Sequence, residues 1–398
     1  MGLLPLPSAY PFLFLLLFAA PLREAPASTA LWAAPAILIA SLMIAWAAEA
    51  SQFFIAQGFA LAILAWLQTL PEFAVEAVWA WHQQVPLLMA NLTGALRLLT
   101  GLGWPMIYFT AAMFQRRRGA PPLKAIHLAQ HHAVEVVGLM VPLLYIGYIA
   151  FKNSLTIFDA IPLVGIYAAY LLVLSKLPAE DPETIDDLEA IPRKIVLSPR
   201  AARIAIIAAL FAAGGALIYV AAEPFAASLL ALASMVGIPT FVFVQWVAPL
   251  VSEFPEMAST FYWARTVHRA PMALMNMVSS NINQWTLLAA MLPIVLSISA
   301  GAPTPIEFDA QQRLEVLMTL GQALVGMMFL LNMELAWWEA AVLFVLFLIP
   351  FASSATAPYV TGAYYAWTGI ELVRMLLGRR KPEALTQFAQ VWKTHIRV

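Results

Sequence analysis

The chain has 398 residues, 62% hydrophobic and 11% charged, with a formal net charge of −1 and no cysteine. Soluble domains carry roughly 25% charged residues, so this composition, with a mean hydropathy of +0.81, excludes a soluble globular protein and predicts an all-α polytopic membrane protein whose main partner is the lipid bilayer. Disulfides, thiolate metal sites and cysteine catalysis are excluded, and the charge gives no sign of a nucleic-acid partner.

Leu3 to Leu22 is apolar but carries Pro5, Pro7 and Pro11 and lacks the basic start of a signal peptide. Residues 1–30 therefore read as an extra N-terminal hydrophobic helix, with a cleaved signal as the alternative. Leu31 to Glu49 is a clearer span. Gly58 to Trp81 follows, interrupted by Pro71-Glu72, then Val85 to Phe114, which ends in Arg116, Arg117 and Arg118. His131 to Phe151 and Phe158 to Lys176 complete a first set of five, over residues 31–176.

Residues 177–203 form a polar linker, acidic through DPETIDDLE and then basic. The second set occupies residues 204–352. Ile204 to Val236 is long enough to cross at a tilt and carries Glu223-Pro224. Gly237 to Trp263 carries Pro255-Glu256. Met272 to Ser299, Leu314 to Met333 and Leu335 to Phe351 follow. Ten core spans of about 20 residues result. Residues 353–398 add a Tyr- and Trp-rich helix, Pro358 to Leu377, and a basic tail. That helix is expected to cross the membrane, with an interfacial helix anchored by Tyr364, Tyr365 and Trp367 as the alternative.

Positive charge sets the orientation. Under ten alternating spans Arg116 to Lys124, Lys176 to Arg203 and Arg265 to Arg269 share the cytosolic face of an inner membrane. The acidic loop Gly301 to Gln312 faces out. The tail with Arg379, Arg380 and Lys381 is cytosolic if the last helix crosses.

Pro-Glu recurs at 71–72 and 255–256. A proline inside a spanning helix frees the carbonyl four residues back, here near Leu67 and Val251. Carbonyls beside carboxylates suit a hard cation such as Ca²⁺ or Na⁺. Helical spacing places Gln68, Thr69 and Glu72 on one face, and Ser252, Glu253 and Glu256 on the equivalent face of the second half. Asn91 and Asn276 lie at nearly the same distance past each glutamate. After Asn276 come Ser280, Asn283 and Gln284 near one face. After Asn91 the same positions are Ala95, Leu98 and Leu99, so the polar stripe is lopsided. Asn91, Asn276 and Asn281 could equally be helix-joining amides. Glu72, Glu253 and Glu256 are harder to assign to packing, because a carboxylate at mid-bilayer costs roughly 3 kcal/mol or more.

QTLPEF with ANLTGALRLL, and SEFPEM with MNMVSSNINQ, resemble the two hairpins of the cation/Ca²⁺ antiporter superfamily, which includes the sodium/calcium exchangers. Gly237-Ile238-Pro239 resembles the turn into that family's seventh core span. The resemblance runs from about Leu31 to Phe351. It implies ten core helices in two inverted five-helix repeats, and secondary exchange of Ca²⁺ for Na⁺ or H⁺ with no cofactor. It implies Glu72 and Glu256 as central ligands, hydroxyls from Thr69 and Ser252, and further ligands at Ser280 and Gln284. Gln68 and Glu253 are expected to support them. The chain departs from the pattern at Ala95, Leu99, Glu253 and the neutral Gln284. The resemblance also implies that the long first and sixth core helices slide past the rest.

Arg97 sits roughly 120° from Asn91 around its helix. It is expected either to face a neighbouring helix or snorkel, or to pair with Glu253 in place of a lost Na⁺. In the second case the site holds fewer ions, and a proton on a glutamate becomes a coupling ion. The protein is expected to act as a monomer. Transport of another cation with proton coupling is one alternative. A non-transporting membrane interaction protein on the same fold is another, and it requires each glutamate to be neutralised by a basic or amide partner.

His127, His131 and His132 have the H-x-x-x-H-H form of a membrane desaturase box, but such enzymes need several boxes and His82, His268 and His395 stand alone. A polar cap or pH-sensitive patch is the plainer reading. No P-loop is present, so an enzyme or an ATP-driven pump is not expected and gradients would drive transport.

Overall fold

The computed structural model describes residues 24–51, 53, 69–177 and 188–397. The expected N-terminal helix, Gln68 and most of the linker lie outside the described residues. Seven helices among them are long and apolar enough to cross a membrane.

The first half contains α1 (Ala30–Ser51), α2 (Leu70–Trp81), α3 (Val85–Arg117), α4 (Ala133–Lys152) and α5 (Ala160–Leu174). After a short amphipathic α6 (Ala190–Leu197), the second half contains α7 (Arg200–Val236) and the broken pair α8 (Thr240–Ser252) and α9 (Phe254–Ala264). It continues with α10 (Ala270–Ala300), α11 (Ala310–Leu330) and α12 (Trp337–Ala352). Two more helices follow, α13 (Ala357–Leu376) and α14 (Glu383–Val391).

Local chemistry sets these bounds. α7 is an Ala/Leu/Ile helix that stops at Gly237, whose φ of +68° gives a left-handed cap, with Pro239 just beyond. At 1.5 Å per residue its 37 residues span about 55 Å, so it must tilt to fit a bilayer core of about 30 Å. α11 opens with a capping box: Gln312 N donates to Asp309 Oδ1 at 2.8 Å, and Asp309 N donates to Gln312 Oε1 at 3.2 Å.

Two small antiparallel ribbons reveal the symmetry. β1 (Ala125–His127), between α3 and α4, pairs with β4 (Glu334–Ala336), between α11 and α12. β2 (Ser154–Leu155), between α4 and α5, pairs with β3 (Ile306–Glu307), between α10 and α11. The connection before the fourth helix of one half thus meets the connection after the fourth helix of the other, at both ends. Only two halves inverted relative to each other place the ribbons this way. The same rule appears in the backbone, where Gln83 and Val267 take left-handed φ at corresponding turns, as do Asn153 and Met333.

The ribbons also define two faces. Arg118 donates to the carbonyls of Thr266 (3.3 Å) and Arg265 (3.2 Å), which puts the α9–α10 turn on the β1–β4 face. Ser299, near the end of α10, donates to the carbonyl of Trp81, which puts the α2–α3 turn on the β2–β3 face. The C-terminal segment returns to the β1–β4 face: Gln130 meets Gln390 at 2.8 Å and Ala384 N donates to Leu331 O at 2.9 Å. Arg380 ties the end of α13 to the start of α12, bonding Glu339 (2.6 Å), Glu371 (3.0 Å) and the Phe329 carbonyl (2.8 Å). α13 therefore runs antiparallel to α12.

The core lies where the halves interlock, around the fully buried Trp79, Trp104, Phe225, Phe329 and Tyr364. α3 packs against α8, and α2 packs against α10 and α7. Gly94 permits the first contact, since a Cβ there would sit 2.0 Å from the Gln245 carbonyl oxygen. α1 lies along α7, and Gly214 meets the Ala40 carbonyl and Ile44 at their crossing. Small residues at such crossings bring membrane helices into van der Waals contact.

Candidate functional site

Each polar hairpin begins with a proline in the first turn of its helix, Pro71 in α2 and Pro255 in α9. Proline suits that turn, where its missing N–H is one of the donors a helix leaves unpaired anyway. In the second half it also interrupts a longer helix, and the break falls between Ser252 and Phe254. The single face expected for Ser252, Glu253 and Glu256 is thus split, with Glu253 at the joint. Glu72 and Glu256 follow directly in the first turns of α2 and α9. The positive end of a helix dipole favours a carboxylate there.

The three carboxyls meet one another. Glu72, Glu253 and Glu256 are 1%, 2% and 6% exposed, so water does little to separate them. Gln284 Nε2 donates to Glu72 Oε2 and to Glu253 Oε1, both at 2.8 Å. The Glu253 carboxyl also lies close enough to those of Glu72 and Glu256 for their charges to act on one another. Buried carboxyls this close need a proton or a cation among them. Glu256 Oε1 accepts from Ser280 Oγ and from Asn276 Nδ2 at 3.4 Å. Asn283 Nδ2 donates to Thr69 Oγ1 at 2.7 Å.

A π-bulge over Gln284–Leu288 starts at this point of α10. Such a bulge inserts one residue into a helical turn and re-aims side chains. Here the consecutive Asn283 and Gln284 both reach the first hairpin. Their side-chain oxygens, Asn283 Oδ1 and Gln284 Oε1, are buried without hydrogen-bond partners. α3 has a matching bulge at Leu99–Gly103, but it begins with an apolar side chain. Among the described residues no three His, Cys, Asp or Glu are placed to hold a metal ion between them.

The remaining residues singled out in the sequence lie elsewhere. The Ser252 hydroxyl bonds back to Ala248 O at 3.2 Å in its own helix. Asn91 donates to Glu76 Oε1 at 2.9 Å and not to Glu72. Asn281 faces α3, reaching Leu96 O at 3.5 Å and Thr100 at 3.4 Å. Arg97 pairs with Glu315 of α11 at 3.0 Å and lies over the Trp246 ring at 5.3 Å. The expected alternative of an Arg97–Glu253 pair is therefore overturned, because a partner carboxylate on the neighbouring helix claims the guanidinium. In the histidine group, His127 pairs with Glu334 at 3.1 Å, and the His131 and His132 rings lie 4.2 Å apart.

Two buried polar residues of the hairpins were not foreseen, one inside the network and one beside it. Asn283 was visible only as part of a polar stripe. Glu76 is 0% exposed and one turn beyond Glu72; the i, i+4 spacing of two acids in an apolar run was its signal.

The profile of the family described as sodium/calcium exchanger protein matches residues 25–176 and 206–352. The crystal structure of the H⁺/Ca²⁺ exchanger CAX is similar at a TM-score of 0.83 and 32% identity, covering 96% of this chain and 94% of that one. The sodium-calcium exchanger NCX_Mj shares the fold at a TM-score of 0.53 and 17% identity, over 82% of this chain and 97% of its own. Native YfkE does so at 0.54 and 14%, over 89% and 99%. A comparison with curated protein sequences returned no match.

Proposed function

Because the chain belongs to the sodium/calcium exchanger family, we propose that it is a secondary antiporter moving Ca²⁺ in exchange for H⁺ through a mid-membrane site centred on Glu72 and Glu256. The observation that carries this reading is the buried Glu253 carboxyl, joined to that of Glu72 through the Gln284 amide and three residues before Glu256. It supplies a third carboxyl, and buried neighbouring carboxyls call for shared protons. The similarity to an H⁺/Ca²⁺ exchanger at 32% identity supports the same coupling.

Ca²⁺ takes six to eight oxygen ligands at 2.3–2.6 Å. Glu72, Glu253 and Glu256 offer carboxylates, Thr69 and Ser280 hydroxyls, and Gln284 its unpartnered Oε1, while Ser252 would join the set only by giving up its bond to Ala248 O. Gln68 belongs to the same proposed set. The Gln284 amide N–H₂ stands between Glu72 and Glu253. Arrival of Ca²⁺ would expel the shared protons and turn the amide so that its oxygen faces the ion. The reverse exchange would restore the hydrogen-bonded network, and α1 and α7 would slide past the other helices to change the open face.

Ten core spans with α13 as an eleventh fit the two-faced placement of the ribbons. The β1–β4 face carries Arg118, Arg265 and the C-terminal segment. The excess of positive charge supports a cytosolic face there, in an inner membrane, with a monomer as the working unit.

The test is Ca²⁺ uptake into liposomes holding the purified protein, under an outward H⁺ gradient in one set and an outward Na⁺ gradient in another. Uptake is expected under the H⁺ gradient. Uptake under Na⁺ alone would replace the coupling ion, a reading to which the neutral oxygens of Thr69, Asn283 and Ser280 are suited. No uptake under either would leave another cation or a non-transporting protein on this fold.

A further inference from the structure

One buried carboxyl takes no part in the central network. Glu76 lies on α2 about 6 Å beyond Glu72, at 1.5 Å per residue, in the direction of the β2–β3 face where α2 ends. It is fully buried. Asn91 of α3, also fully buried, donates to Glu76 Oε1 at 2.9 Å. That single bond leaves Glu76 Oε2 and Asn91 Oδ1 buried without hydrogen-bond partners. A bond between helices would be served equally by glutamine, without the cost of an ionisable group at this depth. Two unpartnered oxygens, one of them a carboxylate oxygen, are the donors a hard cation takes when it sheds water.

The second half does not repeat this arrangement. The position corresponding to Glu76 is Thr260, whose hydroxyl donates to the Glu256 carbonyl at 2.8 Å within α9. Because the halves are inverted, Thr260 lies on the β1–β4 side of the centre and Glu76 on the β2–β3 side. The two approaches therefore differ at matched positions, with a carboxyl and amide on one and a self-bonded hydroxyl on the other.

We propose that Glu76 and Asn91 form an outer subsite for Ca²⁺, occupied on passage between the central carboxyls and the β2–β3 face. The subsite makes recognition of the ion stronger from that face than the central ligands alone would. This inference rests on the exchange reading above and adds sidedness to it.

The experiment uses the full-length chain in liposomes, with a protease-cleavable C-terminal tag reporting orientation. The KM for Ca²⁺ is measured with the ion at each face in turn, for the wild type, Glu76→Gln and Glu76→Asp. Glu76→Gln keeps an acceptor for Asn91 but removes the charge. Its KM is expected to rise about tenfold for Ca²⁺ at the β2–β3 face, roughly the effect of losing one charge-assisted contact, and to stay within about twofold at the other. Glu76→Asp keeps the charge and is expected to fall between, on the same face only. Equal shifts at both faces, or none at either, would overturn the subsite and leave Glu76 as a packing residue. Should Glu76→Gln fail to fold, Asn91→Leu and Glu76→Asp decide the matter by the same comparison. A wild type that moves no Ca²⁺ at all overturns the exchange reading instead, so the two failures are told apart.

Discussion

The two polar hairpins share a backbone plan and differ in what they place on it. Each has a first-turn Pro-Glu, a left-handed turn and a π-bulge on the following helix. The second hairpin organises its own carboxyl, with Ser280 and Asn276 on Glu256. The first cannot, because Ala95 and Leu99 stand where Ser280 and Gln284 stand in the other. Glu72 and Thr69 are instead held from across the interface, by Gln284 and Asn283. One helix, α10, thus positions groups of both halves. An inverted repeat can lack polar groups in one half and keep a connected network, provided one helix of the other half reaches both sides.

The charge in α3 marks the same division. Arg97 serves the bundle and not the centre, sharing a buried ion pair with Glu315 and a cation–π contact with Trp246. Removing one partner of a buried pair leaves an uncompensated charge, typically worth 3–5 kcal/mol. Arg97→Met is therefore expected to lower stability by about 4 kcal/mol, read as a large drop in the thermal unfolding midpoint in detergent. The double variant Arg97→Met, Glu315→Met should recover most of that loss. If Arg97→Met left the midpoint unchanged but altered coupling to H⁺, α3 would belong to the ion site and the division between hairpins would fail.

Neutralising the central carboxyls is the next largest effect. Glu72→Gln and Glu256→Gln are each expected to reduce Ca²⁺ uptake by about 100-fold, close to 2.7 kcal/mol, because each removes a charge that the ion must meet in a low-dielectric site. The comparison sharpens through the partners. Glu72 depends on a residue of the other half, so Gln284→Leu should mimic Glu72→Gln more closely than Glu256→Gln. Full uptake by either glutamate variant would sink the paired-ligand reading.

Much of this was readable in the residues. Two Pro-Glu steps in apolar runs fixed both hairpins, because proline and a buried acid each have few uses inside a membrane helix. Loss of the stripe at Ala95 and Leu99 already implied a one-sided site. Pairwise geometry was not readable. Helical spacing put Asn91 near the centre, but its amide reaches Glu76, one turn further along α2. Spacing also put Ser252 on the face of Glu253, but the break before Phe254 turns its hydroxyl back into α8. Partners 214 residues apart in the chain, such as Thr69 and Asn283, depend on how the halves interlock, and no local period encodes that.

The smallest effect tests whether the hairpins are interchangeable. Ser280→Ala makes the second resemble the first, removing the hydroxyl that donates to Glu256. One hydrogen bond to a charged group contributes about 1.5–3 kcal/mol, but Asn276 still donates to the same oxygen and offsets part of the loss. A fall in Ca²⁺ affinity of about fivefold is expected. Ala95→Ser makes the first resemble the second. The new hydroxyl can bond back to the carbonyl four residues earlier in α3, and Glu72 already has a donor in Gln284. Affinity should therefore change by less than about twofold. Were Ala95→Ser to restore in a Ser280→Ala background what the first change removed, the two carboxyls would be equivalent in their need for a hydroxyl. The dominance of α10 would then be an accident of which residues survived, and not a requirement of the site.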